Sequence, residues 1–154
     1  MPDPYPGPVA ASRSATLGTA LEREVDLLDR RIRSWTGRSW TVLVRTGVTR
    51  ADLLASLARY LDELGRGAGV PVPAEAPLPR VANHALADQV VVLAGELAAA
   101  IQDGRLALGD PSGSPWRGEP PPGGSGPRSG PPDLAVFAER GAAAVRDTRL
   151  ALER

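Results

Sequence analysis

Two stretches rich in proline and glycine limit how much of this chain can pack into a core. Residues 1–13 have proline at every second position from Pro2 to Pro8, and residues 109–132 consist mainly of glycine, proline and serine. Proline lacks a backbone N–H group and glycine loses the most conformational entropy on folding, so both segments favour solvated chain. The sequence therefore predicts a disordered tail over 1–13 and a flexible linker over 109–132. Residues 14–108 and 133–154 remain to fold.

Three segments within 14–108 have apolar residues at steps of three and four, the period of an α-helix with one buried face. They predict helices over 14–36, 49–64 and 80–103. In the second, Thr49 and Asp52 have the spacing of a capping box, and Gly65 stands where a terminal glycine is expected. The expected core positions are Leu17, Leu21, Val25, Leu28, Ile32 and Trp35, then Leu53, Leu57, Tyr60, Leu61 and Leu64, then Leu86, Val90, Leu93, Leu97 and Ile101.

A fourth helix is predicted for residues 133–154. Asp133 follows two prolines and can cap the helix, whereas Gly141 and the alanines around it give a helix that needs a surface to pack on. Its apolar side carries Leu134, Phe137, Gly141, Val145, Thr148 and Leu152. The sequence as a whole predicts an all-α fold, a four-helix bundle with three core helices and a C-terminal helix joined by the long linker.

Residues 40–47, WTVLVRTG, are rich in β-branched residues, which is typical of a strand. The other extended segment, 70–73, contains prolines that cannot donate to a sheet. The prediction for residues 40–47 is therefore a short helix or an apolar segment that covers the bundle, and not a sheet. Trp35 extends the apolar face of the first helix, and Trp40, after Gly37, is expected to fold back over the end of the bundle. The alternative is an exposed surface of arginine and tryptophan.

A run of arginines with no acidic residue among them offers a candidate site. Guanidinium groups bind phosphate and carboxylate groups by bidentate contacts, so an anion-binding or nucleic-acid-binding module is the alternative function. Neutralisation by Asp26, Asp29 and Asp52 is the competing interpretation. The net charge is zero and few aromatic residues are available for base stacking, so nucleic acid is not the expected partner. The arginines of the run are Arg30, Arg31, Arg33, Arg38, Arg45 and Arg50.

Composition excludes several kinds of chemistry. The chain has no cysteine, which excludes disulfides, thiol nucleophiles and cysteine zinc sites. It also has no lysine, which excludes a Schiff base and a phosphate-loop lysine. Arginine without lysine, together with abundant alanine and glycine, fits the codon usage of a high-GC bacterial genome.

The single histidine, His84, has Asp88 one helical turn later, a spacing at which a carboxylate can orient an imidazole. Both lie opposite the apolar face of the third helix, so a solvated pair is expected. One histidine cannot complete a metal site. Glu24 and Glu96 are expected to pair with arginines and not to act as acid and base. No catalytic, cofactor-binding or metal-binding residue is predicted.

The third helix has apolar residues on a second flank, Val81, Val92 and Ala99, about 130 to 150 degrees from its main face. Such a helix is either central or contacts a second molecule, and the fourth helix is expected to cover this flank. The predicted function is that of a non-enzymatic interaction protein, a small accessory subunit or adaptor of a bacterial multi-component system. Its partner would be another protein or a second copy of the chain.

A cytoplasmic location without membrane contact is also expected. The proline-rich start lacks the charged and apolar regions of an export signal. The longest apolar stretch, 90–101, contains Glu96 and is shorter than the roughly 20 residues of a membrane span.

Overall fold

The chain is mostly helical in a computed structural model, which describes residues 8–71, 76–109 and 133–153, with side chains described outside 8–15, 17 and 105–109. The α-helices are α1 (Pro8–Ile32), α2 (Arg50–Ala68), α3 (Leu86–Gly109) and α4 (Leu134–Leu152). Two 3-10 helices cover Gly37–Thr41 and Asn83–Ala85, and a small sheet pairs β1 (Leu43–Arg45) with β2 (Val48–Thr49). Residues 110–132 of the predicted linker and the first seven residues of the predicted tail lie outside the described residues, whereas Gly109, predicted as linker, ends α3.

The helices differ from the predicted ranges at their ends. Helix α1 begins at Pro8, so residues 8–13 of the predicted tail are helical, because proline suits the first turn, where no N–H group is needed. Helix α2 continues past Gly65 to Ala68 and ends at Gly69, whose φ of 93° lies in the left-handed region. Helix α3 begins at Leu86 and not near 80, since residues 76–82 have no regular structure.

One hydrophobic core joins the four α-helices. The buried face of α2 is rotated relative to the predicted face. Leu54 is fully buried in place of Leu53, and Tyr60, predicted as a core residue, is 37% exposed. Leu93 and Phe137 are half-buried, and the side chain of Leu17 lies outside the description. The largest fully buried side chains are Leu21, Leu28, Leu54, Leu61, Val90, Leu97, Ile101, Val145 and Leu152.

Helix α4 packs most extensively against α1 and least against α3. Gly141 lies against Leu97 and Leu21, and Leu134 lies against Gly104, so α4 runs antiparallel to α3. The predicted docking of α4 on the second flank of α3 is therefore wrong. The reason is that the core-facing side of α4 fits between α1 and α2, which leaves Val92 exposed on the outer face of α3.

The prediction against a sheet in residues 40–47 is also wrong in part. Trp40 does lie in a short helix, but Leu43–Arg45 pairs antiparallel with Val48–Thr49, which directly follows it. Gly47 has a φ of 73° and permits the tight reversal between these strands. The partner of β1 is not the distant segment 70–73 but the strand across the next turn.

Candidate functional site

The arginine run gathers at one end of the molecule. Arg30 and Arg31 lie in the last turn of α1, Arg38 lies in the first 3-10 helix, Arg45 ends β1, and Arg50 begins α2. These elements follow one another through short connections, so arginines that are separate in sequence become neighbours at this end. We call it the basic end, defined by the arginines of the run, Arg30, Arg31, Arg33, Arg38, Arg45 and Arg50.

Acidic residues neutralise little of the basic end. Arg33 donates from Nε to Asp29 Oδ2 at 2.6 Å, and this hydrogen bond is the main reason that its pKa is raised. Its Nη2 also lies 3.9 Å from Asp88 Oδ1. Among the described residues, Arg30, Arg31, Arg38, Arg45 and Arg50 form no ion pair. Of the carboxylates expected to neutralise the run, only that of Asp29 pairs with one of its arginines.

The two tryptophans of this end contact each other. Their ring centroids are 5.1 Å apart and the ring planes meet at 80°, an edge-to-face arrangement. Trp40 is 7% exposed, as expected of a residue that covers the end of the core. Trp35 is half-buried because α1 ends at Ile32, and it packs against the core, so its prediction as a core residue is confirmed only in part. The Arg50 guanidinium carbon lies 4.9 Å from the Trp35 ring centroid, in a cation–π contact.

The hairpin at the basic end exposes aliphatic side chains. Leu43 is 64% exposed and Val42 is 43% exposed, whereas Val44 between Leu43 and Arg45 is half-buried. Leu43 and Arg45 are both exposed on either side of half-buried Val44, so both face solvent, although the pairing with β2 is irregular between them. Sequence reasoning did not select these aliphatic residues. The alternation of Leu43, Val44 and Arg45 was the available signal.

The second candidate surface is the outer flank of α3. Val92 is 57% exposed, Ala99 is exposed, and a Cβ added to Gly95 between them would meet nothing within 4 Å. Val81 precedes α3 and is half-buried, but together with Val92 it lines a groove of about 530 Å³. Ala99 lines a neighbouring groove of about 410 Å³. The structure thus brings Val81 and Val92 together and places Ala99 further along the helix.

The wall of the first groove is residues 76–81, which run back along α2 and α3. Arg66 donates from Nη2 to the Ala76 carbonyl at 2.7 Å, and Gln89 donates from Nε2 to the Pro79 carbonyl at 2.9 Å. Asp62 holds Arg66 in place through a 2.9 Å ion pair with Nε. Hydrogen bonds from both helices therefore fix this wall.

Acid–base and metal chemistry find little support in the described ranges. His84 is exposed in the second 3-10 helix, and no hydrogen bond or ion pair joins it to Asp88 within those ranges. The described residues contain no group of three or more histidine, aspartate or glutamate side chains that could hold a metal ion. Glu24 pairs with Arg149 as expected, whereas Glu96 is exposed and has no arginine partner in the described part.

A further cavity of about 700 Å³ lies between the first half of α2 and residues 77–83. Its carboxylates include Asp52, which accepts hydrogen bonds from Thr49, and Asp62, which pairs with Arg66. These groups already have structural partners. The cavity therefore offers no evident pair of free catalytic carboxylates among the described side chains.

Residues 83–104 reach a mean hydropathy of 1.4 over a window long enough to cross a membrane. This span extends the apolar stretch at 90–101 by residues that include Asp88, Gln89 and Asp103. Val90, Leu97 and Ile101 within it are buried against other helices, and a core helix has the same composition.

Comparison of the chain with protein-family models, with curated proteins and with solved structures finds no match.

Proposed function

We propose that the protein is a non-enzymatic interaction protein, a small accessory subunit or adaptor, and that it binds another protein through the outer flank of α3. The observation that carries this proposal is the 57% exposure of Val92, in an apolar helix whose opposite face is buried in the core. Exposed apolar surface beside a groove is typical of a protein-binding site. A cytoplasmic location fits such a role.

The flank has the shape to receive a helix. Val92, Gly95 and Ala99 follow one another at steps of three and four, so they lie on one face of α3. Small side chains along this face allow a second helix to approach closely, because interaxial distance depends on the side chains at the contact. The groove at Val81 and Val92 adds a place for a larger apolar side chain.

Acidic residues border the flank and indicate the charge of the partner. Asp88, Glu96 and Asp103 are exposed along α3. Only Asp88 has an arginine nearby, 3.9 Å from Arg33, among the described residues. The partner that fits is an amphipathic helix with apolar residues on one face and basic residues beside them. That helix could belong to another protein or to a second copy of this chain.

The proposed arrangement of the chain supports this role. We place α4 as the fourth member of a helical bundle, tethered through the linker, so that α1 and α2 are covered within the same chain. The burial of Val145 and Leu152 in the shared core supports this arrangement. The outer flank of α3 then remains available for a partner.

Site-specific photo-crosslinking in the producing cell tests the interaction. A photoreactive amino acid at Val92 is expected to give a discrete adduct with a partner protein or a second copy, and the same probe at Leu27 on α1 is the control. Leu27 is also an exposed aliphatic residue, at 36%. Adding Gly95→Arg should abolish the adduct without unfolding the helix, since nothing lies within 4 Å of that position. No adduct at Val92, or equal adducts at both positions, would contradict the proposal.

A further inference from the structure

The first residues of the hairpin, Val42 and Leu43, combine apolar exposure with a fixed conformation. Leu43 is the most exposed large hydrophobic residue among those described, at 64%. The following strand holds both residues in place, since the Arg50 N–H group donates to the Val42 carbonyl at 2.9 Å and Leu43 pairs with Thr49. Trp40, 7% exposed, anchors the preceding helical turn in the core. The exposure of Leu43 is therefore built into the fold.

Exposed guanidinium groups belong to the hairpin and to the elements that precede it. Arg45 lies in the same strand as Leu43, Arg38 lies in the preceding 3-10 helix, and Arg30 and Arg31 end α1 nearby in the same end of the molecule. All four are exposed, and none has an ion pair with any residue that the structure describes. Exposed aliphatic residues at the same end as unpaired arginines are complementary to a surface that is anionic outside and apolar beneath.

We propose that the basic end binds the surface of an anionic phospholipid bilayer, with Leu43 and Val42 entering the interface. Arginines at such a surface attract acidic headgroups and bind their phosphate groups, while the aliphatic side chains leave water. A chain of zero net charge is not expected to bind an anionic membrane over its whole surface. The fold changes this expectation because it concentrates arginines and exposed aliphatic residues at one end.

The composition of the surface favours lipid over nucleic acid. Proteins that bind single strands without sequence preference stack bases on aromatic rings, yet Trp40 is buried and the Arg50 guanidinium group lies over Trp35. An exposed leucine at the same end as the arginines has no favourable role against a phosphate backbone. This inference is independent of the protein partner proposed for α3.

Vesicle binding by the full chain tests the inference. We expect binding to vesicles of phosphatidylserine and phosphatidylcholine, release at high salt, and no binding to phosphatidylcholine alone. Arg45→Ala should weaken the partition coefficient about fivefold, and Leu43→Ser about tenfold. Arg140→Ala is the matched control, because Arg140 is exposed on α4, next to Gly141, which contacts the middle of α1 at Leu21. It should bind like the unchanged chain.

A fluorescent label at position 43 shows whether this part of the hairpin enters the bilayer. The chain has no cysteine, so Leu43→Cys and Leu150→Cys each give one labelling site. An environment-sensitive dye should shift to the blue on vesicles at position 43 and not at position 150. Absence of binding, equal weakening by Arg140→Ala, or no blue shift at position 43 would overturn the inference. Tight, salt-sensitive binding to duplex DNA that Leu43→Ser leaves unchanged would overturn it too, in favour of a nucleic-acid site.

Discussion

The guanidinium group of Arg149 on α4 reaches the carboxylate of Glu24 on α1, with both Nε and Nη2 3.3 Å from Oε2. Each side chain is only 19% exposed, and Arg149 Nη1 also lies 3.0 Å from Glu153 Oε1. A contact of this kind is stronger than a fully exposed ion pair because water screens it less. It ties α4 to α1 at the edge of their apolar contact.

Removal of this contact should lower stability. Glu24→Gln is expected to reduce the free energy of unfolding by about 1–2 kcal/mol in urea at neutral pH. Arg146→Ala is the control, since Arg146 is 56% exposed and lies 3.9 Å from an exposed Asp147, and it should change stability by less than about 0.5 kcal/mol. Equal stability of Glu24→Gln and the unchanged chain would show that the pair contributes nothing.

Gly141 allows α4 to approach its neighbours closely. A Cβ added there would lie 3.1 Å from Leu97 Cδ2 and 3.4 Å from Leu21 Cδ1, so Gly141→Leu should lower the free energy of unfolding by about 1–3 kcal/mol or more through overpacking. Gly95→Ala, in an open position of α3, should instead raise it by about 0.5–1 kcal/mol. Urea unfolding of both variants checks the contrast. A stabilised Gly141→Leu variant would show that the helices can separate without cost.

Trp40 and Trp35 should differ in what they contribute to stability. Trp40→Ala is expected to lower the free energy of unfolding by about 3–5 kcal/mol because its ring is buried. Trp35→Ala should cost about half as much, since that ring is less deeply buried and its main contacts are Trp40 and Arg50. Urea unfolding monitored by circular dichroism measures both. A larger loss for Trp35→Ala would show that its contacts outweigh the burial of Trp40.

The cap of α2 should depend on pH. The Thr49 hydroxyl donates to Asp52 Oδ2 at 2.6 Å, and the Thr49 N–H group donates to the same oxygen at 2.9 Å. These bonds, the first above all, lower the pKa of Asp52 from its ordinary value near 3.8. The carboxylate therefore stabilises the fold above its unfolded-state pKa, and this contribution is lost as pH falls through the lower folded-state pKa.

Carboxyl titration by NMR checks this relationship. Thr49→Val should raise the pKa of Asp52 toward its ordinary value, whereas Thr49→Ser retains the hydroxyl group and should leave it low. Asp52→Asn should remove this part of the pH dependence of unfolding. An unchanged Asp52 pKa in Thr49→Val would mean that the backbone N–H group alone sets it.

Deletion of residues 133–154 tests whether α4 is a member of the folded bundle or a tethered motif that binds a partner. Because α4 contacts Leu21 and Leu97, the shortened chain should expose core surface, bind a hydrophobic dye and melt at a lower temperature. The outer flank of α3 should be unaffected, since α4 does not cover Val92. A monomeric, dye-silent product with an unchanged melting temperature would show that α4 is a partner motif outside the fold.

Much of the helical structure was predictable because its signals are local. The spacing of Leu21, Val25, Leu28 and Ile32 identified the buried face of α1, and Thr49 marked the start of α2. Asp133 likewise caps α4, accepting a hydrogen bond from the Ala135 N–H group at 3.1 Å. Period and capping chemistry act within a few residues, so they can be read before the tertiary structure is known.

Some features of the fold depend on tertiary packing and could not be predicted from the sequence. Leu53 and Leu54 are both apolar, and only the position of α2 against α3 buries the second more deeply. The third helix, predicted to begin at 80, begins at Leu86, because residues 76–82 have no regular structure. At the candidate sites, sequence located the arginines but not the exposure of Leu43, because exposure depends on what the rest of the chain covers.

The pairing of α1 with α4 also affects how the chain can fold during synthesis. Glu24 and Arg149 are 125 positions apart, and α1 packs more extensively on α4 than on any other element described. Contacts of such separation slow folding, because a long loop must close before they form. On the ribosome, α1 emerges early, yet part of its apolar face has no cover until α4 follows. The nascent chain should therefore depend on chaperones longer than a bundle of successive hairpins would.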